Sequence, residues 1–332
     1  MQLDLILPGL FDRLGEWAQS YAPLPEFPQL QSMLARSRVD RAGPKGLEAS
    51  IWRHFDPLWS APEPLPAGPL IDADATANVL HATPVHLEVG MRDLILSRPE
   101  PLDADERREL AETIDEQLHT AGQRFIVDAF GNGYLSLDEA LEIVTTPPSL
   151  VAGEGIRAHL PTGADAATLH RLMTELQMVL HAAPFNRQRE QRGLKTVNAL
   201  WLWGGGSADR PLQAAHDLLL TDNPLATACA TATGQQYAAP PTRFETGYVD
   251  GAERVLVIDD RLLAAVENDD IHGWQLALAA FERDWLAPIR DAIRSGRLER
   301  VTIDSCHGRV FSLSRADRWK IWRRPRPLVE LS

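Results

Sequence analysis

Apolar residues recur along this chain with two periods. Leu3, Leu5, Ile6 and Leu7 form an almost unbroken apolar run that Pro8 and Gly9 stop, the pattern of a strand buried on both faces of a parallel sheet. Val255–Ile258 and Val301–Ile303 repeat that pattern and predict two more strands. Val197, Ala199, Leu200, Trp201, Leu202 and Trp203 predict another, ending on Gly204, Gly205 and Gly206. Val85, Leu87 and Val89 alternate ahead of Leu94, Ile95 and Leu96. Spacings of three and four mark the helices. Leu30, Met33 and Leu34 give a buried helix face after the proline-rich start of Pro23–Arg38. Leu110, Ile114 and Leu118 share a face behind Asp103, an N-cap whose capping box Glu106 completes, with Gly122 as the stop. Leu169, Leu172, Met173, Leu176 and Leu180 make the clearest amphipathic helix, and Trp274, Leu278, Phe281, Trp285, Ile289 and Ile293 stay in register up to the capping Gly296.

The intervening segments carry weaker signals. Ser207–Leu220 reads as a helix, and the small residues of Asn223–Gly234 as another, suited to close packing. Pro57–Pro69 is proline-rich and without period, an extended surface connector and not a domain boundary. Asp128, Asn132, Gly133 and Glu139 fall on four positions of a calcium-binding loop, but Phe130 cannot ligate and Phe125-Ile126-Val127 is β-type where a helix is required. The segment therefore predicts a hairpin turning at Gly131-Asn132-Gly133.

Composition narrows the class. A chain of 332 residues, 44% hydrophobic, can bury a large core, and its net charge of −13 opposes general attraction to nucleic acid or anionic membrane. Cys229 and Cys306 offer neither a disulfide framework nor zinc spacing, and the start Met-Gln-Leu-Asp-Leu-Ile-Leu-Pro lacks a basic region and a long apolar run, so a cytoplasmic, bacterial-type protein is expected. The tail Ser314–Pro327 is locally basic. It reads as an edge strand whose arginines are solvated while Trp319 and Trp322 pack on the core, and nucleic acid is not an expected partner. His81 and His86 have no carboxylate at metal-ligand spacing and read as hydrogen-bonded core or loop histidines.

The chemistry concentrates in His181–Gly206. A helix must end near His181 because Pro184 cannot continue it, and the polar segment that follows carries Asn186, Arg187, Arg189, Arg192 and Lys195. A strand, a glycine turn and a helix start form a plausible anion cradle, against which stands a tight turn with solvated arginines and no P-loop lysine. Pro184, Asn186, Arg189, Gly193, Asn198, Ala199 and Gly204 resemble the corresponding segment of archaeal-type cofactor-independent phosphoglycerate mutases, in the alkaline phosphatase superfamily. LPGL at the start and NALWLWGGG in the middle resemble bacterial regulatory relatives of the RpfE type. The resemblance implies an α/β fold, an alkaline-phosphatase-like core with a largely parallel central sheet flanked by helices. Residues 1–100 and 200–332 would form this core, and 101–199 a smaller inserted α+β region.

The departures from the family bear on activity. Trp203 stands where the archaeal mutases carry an arginine, and Leu7-Pro8-Gly9-Leu10 stands where the superfamily places a metal-bridging Asp-Gly. Neither Ser20 nor Ser32 has a nucleophile's setting. The motifs that would bind the two metals survive in disturbed form as Asp269-Asp270-Ile271-His272-Gly273 and Asp304-Ser305-Cys306-His307-Gly308, so Asp269, His272, Asp304 and His307 are the remnant metal candidates. The expectation is a catalytically silent, mutase-like regulatory protein without a cofactor. Asn186, Arg189, Arg192, Asn198, Gly204, Gly205 and Gly206 would hold a small anionic, phosphorylated ligand or face a protein partner, with no membrane involved. On this reading Arg189→Ala weakens ligand binding without unfolding the protein. The alternative is an active mutase or phosphatase using Mn, Zn or Mg in a rearranged site.

Overall fold

The computed structural model describes the chain except residues 22, 62, 64, 71–78, 99–100, 119–122, 129–130, 207–209, 250, 321 and 332. Its strands are β1 (Gln2–Ile6), β2 (Arg38–Asp40), β3 (Val79–Val89), β4 (Leu94–Ser97), β5 (Arg124–Val127), β6 (Gly133–Ser136), β7 (Ala199–Trp203), β8 (Leu218–Leu220), β9 (Gln236–Ala238), β10 (Arg254–Ile258), β11 (Arg300–Asp304) and β12 (Val310–Ser314). Its helices are α1 (Leu14–Tyr21), α2 (Pro28–Arg36), α3 (Leu47–Phe55), α4 (Ala104–Leu118), α5 (Ala166–Ala182), α6 (Pro184–Gln191), α7 (Pro224–Thr233), α8 (Leu263–Glu267), α9 (Ile271–Phe281), α10 (Ala287–Ser295) and α11 (Leu328–Leu331). The chain divides into two compact units, one of Met1–Trp59 with Leu212–Ser332, the other Ser60–Pro211.

In the first unit β1 is the axis of a mixed sheet ordered β2-β12-β11-β1-β10-β8-β9. Leu5 lies opposite Val257 of β10 and Ile303 of β11, both parallel neighbours, which is why all three segments are apolar runs. Strands β8 and β9 continue the parallel order, and β12 and β2 close the other side antiparallel. On one face Leu3, Leu5 and Leu7 meet Trp17, Leu30, Trp274, Phe281 and Trp285 in the main core. The helical register from Trp274 to Ile293 is realised by α9 and α10 joined through the π-turn Glu282–Leu286, and Gly296 caps the end at φ 82°.

The turn after β1 explains its neutral sequence. Gly9 has φ +80°, a Cβ there would lie 3.0 Å from the carbonyl carbon of Leu262, and Trp274 Nε1 donates to the Gly9 carbonyl at 2.8 Å. LPGL is thus a packing turn under α9. The predicted helix Ser207–Leu220 does not form: 207–209 lie outside the described residues, Arg210–Asp217 is irregular, and Leu218–Leu220 is strand β8. Pro211 disfavours a helix there, and parallel pairing with β10 claims the leucines.

The second unit is built on an antiparallel sheet ordered β4-β3-β6-β5, with β7 also paired to β3. The eleven-residue β3 takes three partners along its length. Because β7 runs antiparallel beside β3, with Val85 opposite Ala199 and His81 opposite Trp203, residues 60–100 and 200–211 belong to this unit and not to the core where the sequence put them. The unit boundary falls within Pro57–Pro69, whose Leu65 and Ala67 are buried, so that segment is not a surface connector. Strands β5 and β6 form the predicted hairpin; Asp128 accepts from the Asn132 amide at 2.9 Å and from its side chain at 2.8 Å, while Phe130 lies outside the described residues. Gly122 does too.

The polar segment after α5 is itself a helix, α6, with Pro184 in its first turn, where a missing N–H costs nothing. The capping box of α4 forms as predicted, the Glu106 amide donating to Asp103 at 2.9 Å and the Asp103 amide to Glu106 at 3.0 Å. Glu106 also takes the Arg189 guanidinium at 2.8 Å, with side-chain exposures of 4% and 0%, so this pair ties α6 to α4 in the interior.

Two stability predictions come from these contacts. Gly9→Ala should lower unfolding free energy by about 1–3 kcal/mol, because alanine is strained at positive φ and its Cβ meets Leu262. Arg189→Ala should cost about 3–5 kcal/mol, since it removes the fully buried cation of Glu106 and leaves only the half-exposed Arg192 to pair with that buried carboxylate. Urea unfolding of each variant against the wild type measures both, and a loss below about 0.5 kcal/mol at either position would contradict the corresponding contact.

Candidate functional site

The polar side chains expected to hold an anion engage the second unit's own carbonyls, amides and carboxylates. Asn186 donates to the Leu180 and Val197 carbonyls and accepts from the Val197 amide, each at 2.8 Å. Arg189, besides Glu106, donates Nε to the Lys195 carbonyl at 2.7 Å. Arg192 reaches Glu106 at 3.1 Å and Asp103 at 3.4 Å. Asn198 brackets Leu87, accepting from its amide at 2.7 Å and donating to its carbonyl at 2.8 Å. The Gly204 amide donates to Thr145 Oγ1 at 3.0 Å, its carbonyl accepts from Gly68, and a Cβ on Gly205 would lie 2.3 Å from Leu80. Gly206 is half-buried beside the undescribed 207–209. The cluster is real, but it fixes the chain passing from α6 into β7. The cradle's third part, a helix after the glycines, is absent from Arg210 onward.

The remnant metal candidates also have other work. Asp269 accepts from Trp17 Nε1 at 2.7 Å and pairs with Arg13 at 3.3 Å, which holds it at φ 55°. Asp270 caps α9 by accepting from the Gly273 amide at 2.8 Å; a Cβ on Gly273 would collide with it, so this glycine serves the cap. His272 is exposed. Asp304 is buried at the end of β11 and accepts from the Cys306 amide at 2.8 Å, whereas His307 is exposed and its backbone bridges to Lys45. Burial pushes the Asp304 carboxyl up to about 6 against the lowering effect of that amide. Burial, then the Asp304 charge, pushes the Cys306 thiol well above its ordinary value, so it is no activated nucleophile. The carboxylate after β10, Asp259, is forked by Arg261 at 2.6–2.9 Å. At the carboxyl ends of these strands the carboxylates Asp304, Asp270 and Asp259 are buried, capping or forked, and no carboxylate follows β1 in LPGL, so the residues do not fit the bridged pair of divalent cations that the superfamily resemblance implies.

Two other features of the first unit gather chemistry. The first is a groove of about 570 Å³ lined by Arg41, Arg309, Arg323, Arg324 and Arg326, with Trp322 and Glu330 also on its wall. Arg323 donates to the Ser37 carbonyl at 3.0 Å, and among the described residues no salt bridge engages any of the five arginines. Trp319 and Trp322 are 67% and 72% exposed, so the basic tail does not pack its tryptophans on the core. The sequence marked this tail as basic but could not show that Arg41 and Arg309, far away in the chain, line the same groove.

The second is Asp4, His54 and His216, whose ligand atoms lie within 4.8 Å of one another, the one such set of three among the described residues. Asp4 and its neighbours Leu256 and Thr302 are in register across the sheet, Asp4 pointing away from the face that carries Leu3 and Leu5. His216 Nε2 meets Asp4 Oδ2 at 2.7 Å, Thr302 Oγ1 donates to Asp4 Oδ1, and the His54 ring centroid lies 5.1 Å from that of His216. Burial alone would raise the Asp4 carboxyl, but hydrogen bonds from His216 and Thr302 outweigh it and hold the group at about 2. Burial, then the neighbouring His216, pushes the His54 ring down to about 4. Asp4 was legible as a carboxylate misplaced inside a strand; its two partners are 50 and 212 positions away and carried no signal.

No family model matches the chain. It is 34% identical over 107 residues to a 2,3-bisphosphoglycerate-independent phosphoglycerate mutase of Methanothrix thermoacetophila, covering 32% of this chain and 27% of that protein. It is 31% identical over 143 residues to a probable enzyme of the same name from Geobacter sulfurreducens, covering 42% and 34%. The matches therefore span about a third or less of those relatives' own length. Among solved structures, the PH0037 protein from Pyrococcus horikoshii aligns over 94% of this chain and 87% of its own at a TM-score of 0.54 and 16% identity, a likeness of fold. With its largely parallel central sheet, flanking helices and separate antiparallel sheet, the chain is a phosphoglycerate-mutase-like α/β protein.

Proposed function

We propose that this chain is a mutase-like binding protein without mutase turnover, holding a small phosphorylated ligand in the arginine-lined groove in a regulatory role. The observation that carries the reading is the groove itself: five arginines line about 570 Å³ in a chain of net charge −13. Guanidinium groups match phosphate and carboxylate oxygens in forked geometry, and an unpaired cluster of like charges is relieved by an anion. The acidic remainder of the molecule repels a long polyanion. At physiological salt the Debye length is about 8 Å, so a small anion inside the groove feels mainly the arginines. That contrast favours a phosphorylated small molecule over nucleic acid.

The argument against turnover rests on residues. LPGL offers no bridging carboxylate after β1, Cys306 is held as the thiol, and Asp269, Asp270 and Asp304 are engaged in fold contacts. Phosphoryl transfer needs a nucleophile and charge neutralisation at one point, and the described residues do not bring them together there.

The test is calorimetric titration of the protein with 3-phosphoglycerate and with inorganic phosphate, alongside a mutase assay. Binding is expected in the groove, and Arg324→Glu with Arg326→Glu should weaken it roughly 10-fold to 100-fold through lost charge-assisted contacts, without changing the unfolding midpoint. Unchanged affinity in the double variant removes the groove from the reading. Mutase turnover by the wild type removes the proposal of a silent protein.

A further inference from the structure

We infer that Asp4, His54 and His216 form a binding site for one zinc ion on the first unit's parallel sheet, separate from the arginine groove. The donor set is one carboxylate and two imidazoles, which suits zinc and leaves a fourth position open for water or another ligand. Magnesium, which prefers an all-oxygen shell, is a poor match. The position is also distinct from the strand carboxyl ends: Asp4 sits in the middle of β1, and His216 comes two residues before β8 begins, at that strand's amino end. The ligands therefore join β1, α3 and the approach to β8.

An ordinary buried Asp–His pair explains only two of the three residues. Asp4 and His216 satisfy each other at 2.7 Å, but His54 is brought edge-on to the same pair, and among the described residues neither of its ring nitrogens is hydrogen-bonded. The half-buried His54 ring thus has nitrogens without a protein partner, and a metal ion would supply one. Thr302, donating to the second carboxylate oxygen, fixes the orientation of Asp4 as an outer-shell partner does.

Small movements complete the site. Tetrahedral zinc with bonds of about 2.0–2.1 Å sets its ligand atoms about 3.3 Å apart, so the 2.7 Å Asp4–His216 contact opens slightly and His54, now within 4.8 Å, closes in.

The experiment is chelator treatment of the full chain followed by zinc titration against a chromophoric competitor, with Co²⁺ substitution read by visible absorption. One zinc per chain is expected, and His54→Ala should weaken it roughly 100-fold or more while Thr302→Ala weakens it roughly 10-fold. Zinc should raise the wild-type melting temperature and leave that of His54→Ala unchanged. His216→Ala and Asp4→Asn break the buried pair and can fail to fold, so the half-buried His54, near the end of α3, is the deciding position. A His272→Ala, His307→Ala double variant should bind zinc as the wild type does, and so should the groove variant, which separates this inference from the proposed function. The inference is overturned by three results: no stoichiometric zinc in the wild type, wild-type affinity in His54→Ala, or loss of zinc from the His272, His307 variant.

Discussion

The fold depends on β1 being hydrogen-bonded along both edges and covered on both faces. Leu3 and Leu5 enter the main core, every backbone group from Gln2 to Ile6 lies between β10 and β11, and only Gln2 and Asp4 are half-buried, so the strand has little room to accommodate error. In that setting each departure from an apolar residue has to be answered locally. Asp4 is the one charged residue in the strand, and Thr302 and His216 converge on it because an unpaired carboxylate there would cost several kcal/mol. The same constraint acts at the strand's end: with Trp274 and Leu262 packed on Gly9, the turn that might carry a metal-binding carboxylate has no room for a side chain.

What could be read from the sequence follows from how local each signal is. The two-sided strands β1, β10 and β11, the capping box at Asp103 and Glu106, and the long register from Trp274 to Ile293 depend on near neighbours, and they stand where the pattern put them. The helix α3 carries a local signal as well, Leu47, Ile51 and Phe55 at spacings of four. The short edge strands β2 and β9 were not legible, nor was β12 between β2 and β11; their residues become strands because a neighbour offers a free edge. Nor was the placement of β7, whose apolar run fits a parallel core as well as the antiparallel partner it has in β3.

The anion cradle shows why a motif's chemistry can mislead. Asn186, Arg189, Arg192 and Asn198 have donors suited to a phosphate, but the same donors suit carbonyls and a buried carboxylate. The sequence could not reveal that Glu106, eighty-three positions before Arg189, would reach it. Glu106 already had a visible role in the capping box, so its second contact carried no separate signature. The segment's likeness to the mutases is then accounted for at least in part by structure: these residues hold α6 and β7 in place. Similarity over such a segment speaks to the fold it stabilises more directly than to turnover.

The same logic runs in reverse for the arginine groove. Arg41, Arg309, Arg323, Arg324 and Arg326 belong to no single motif, and nothing in their spacing suggests a common ligand. Folding β2 onto β12 and bringing the tail alongside α2 puts all five on one cavity. Keeping like charges together on a protein surface costs folding energy that no neighbouring carboxylate offsets except Glu330. In an acidic chain, where a few substitutions to neutral residues would remove that cost, an arrangement that raises it is better explained by an anion that binds there than by the needs of the fold.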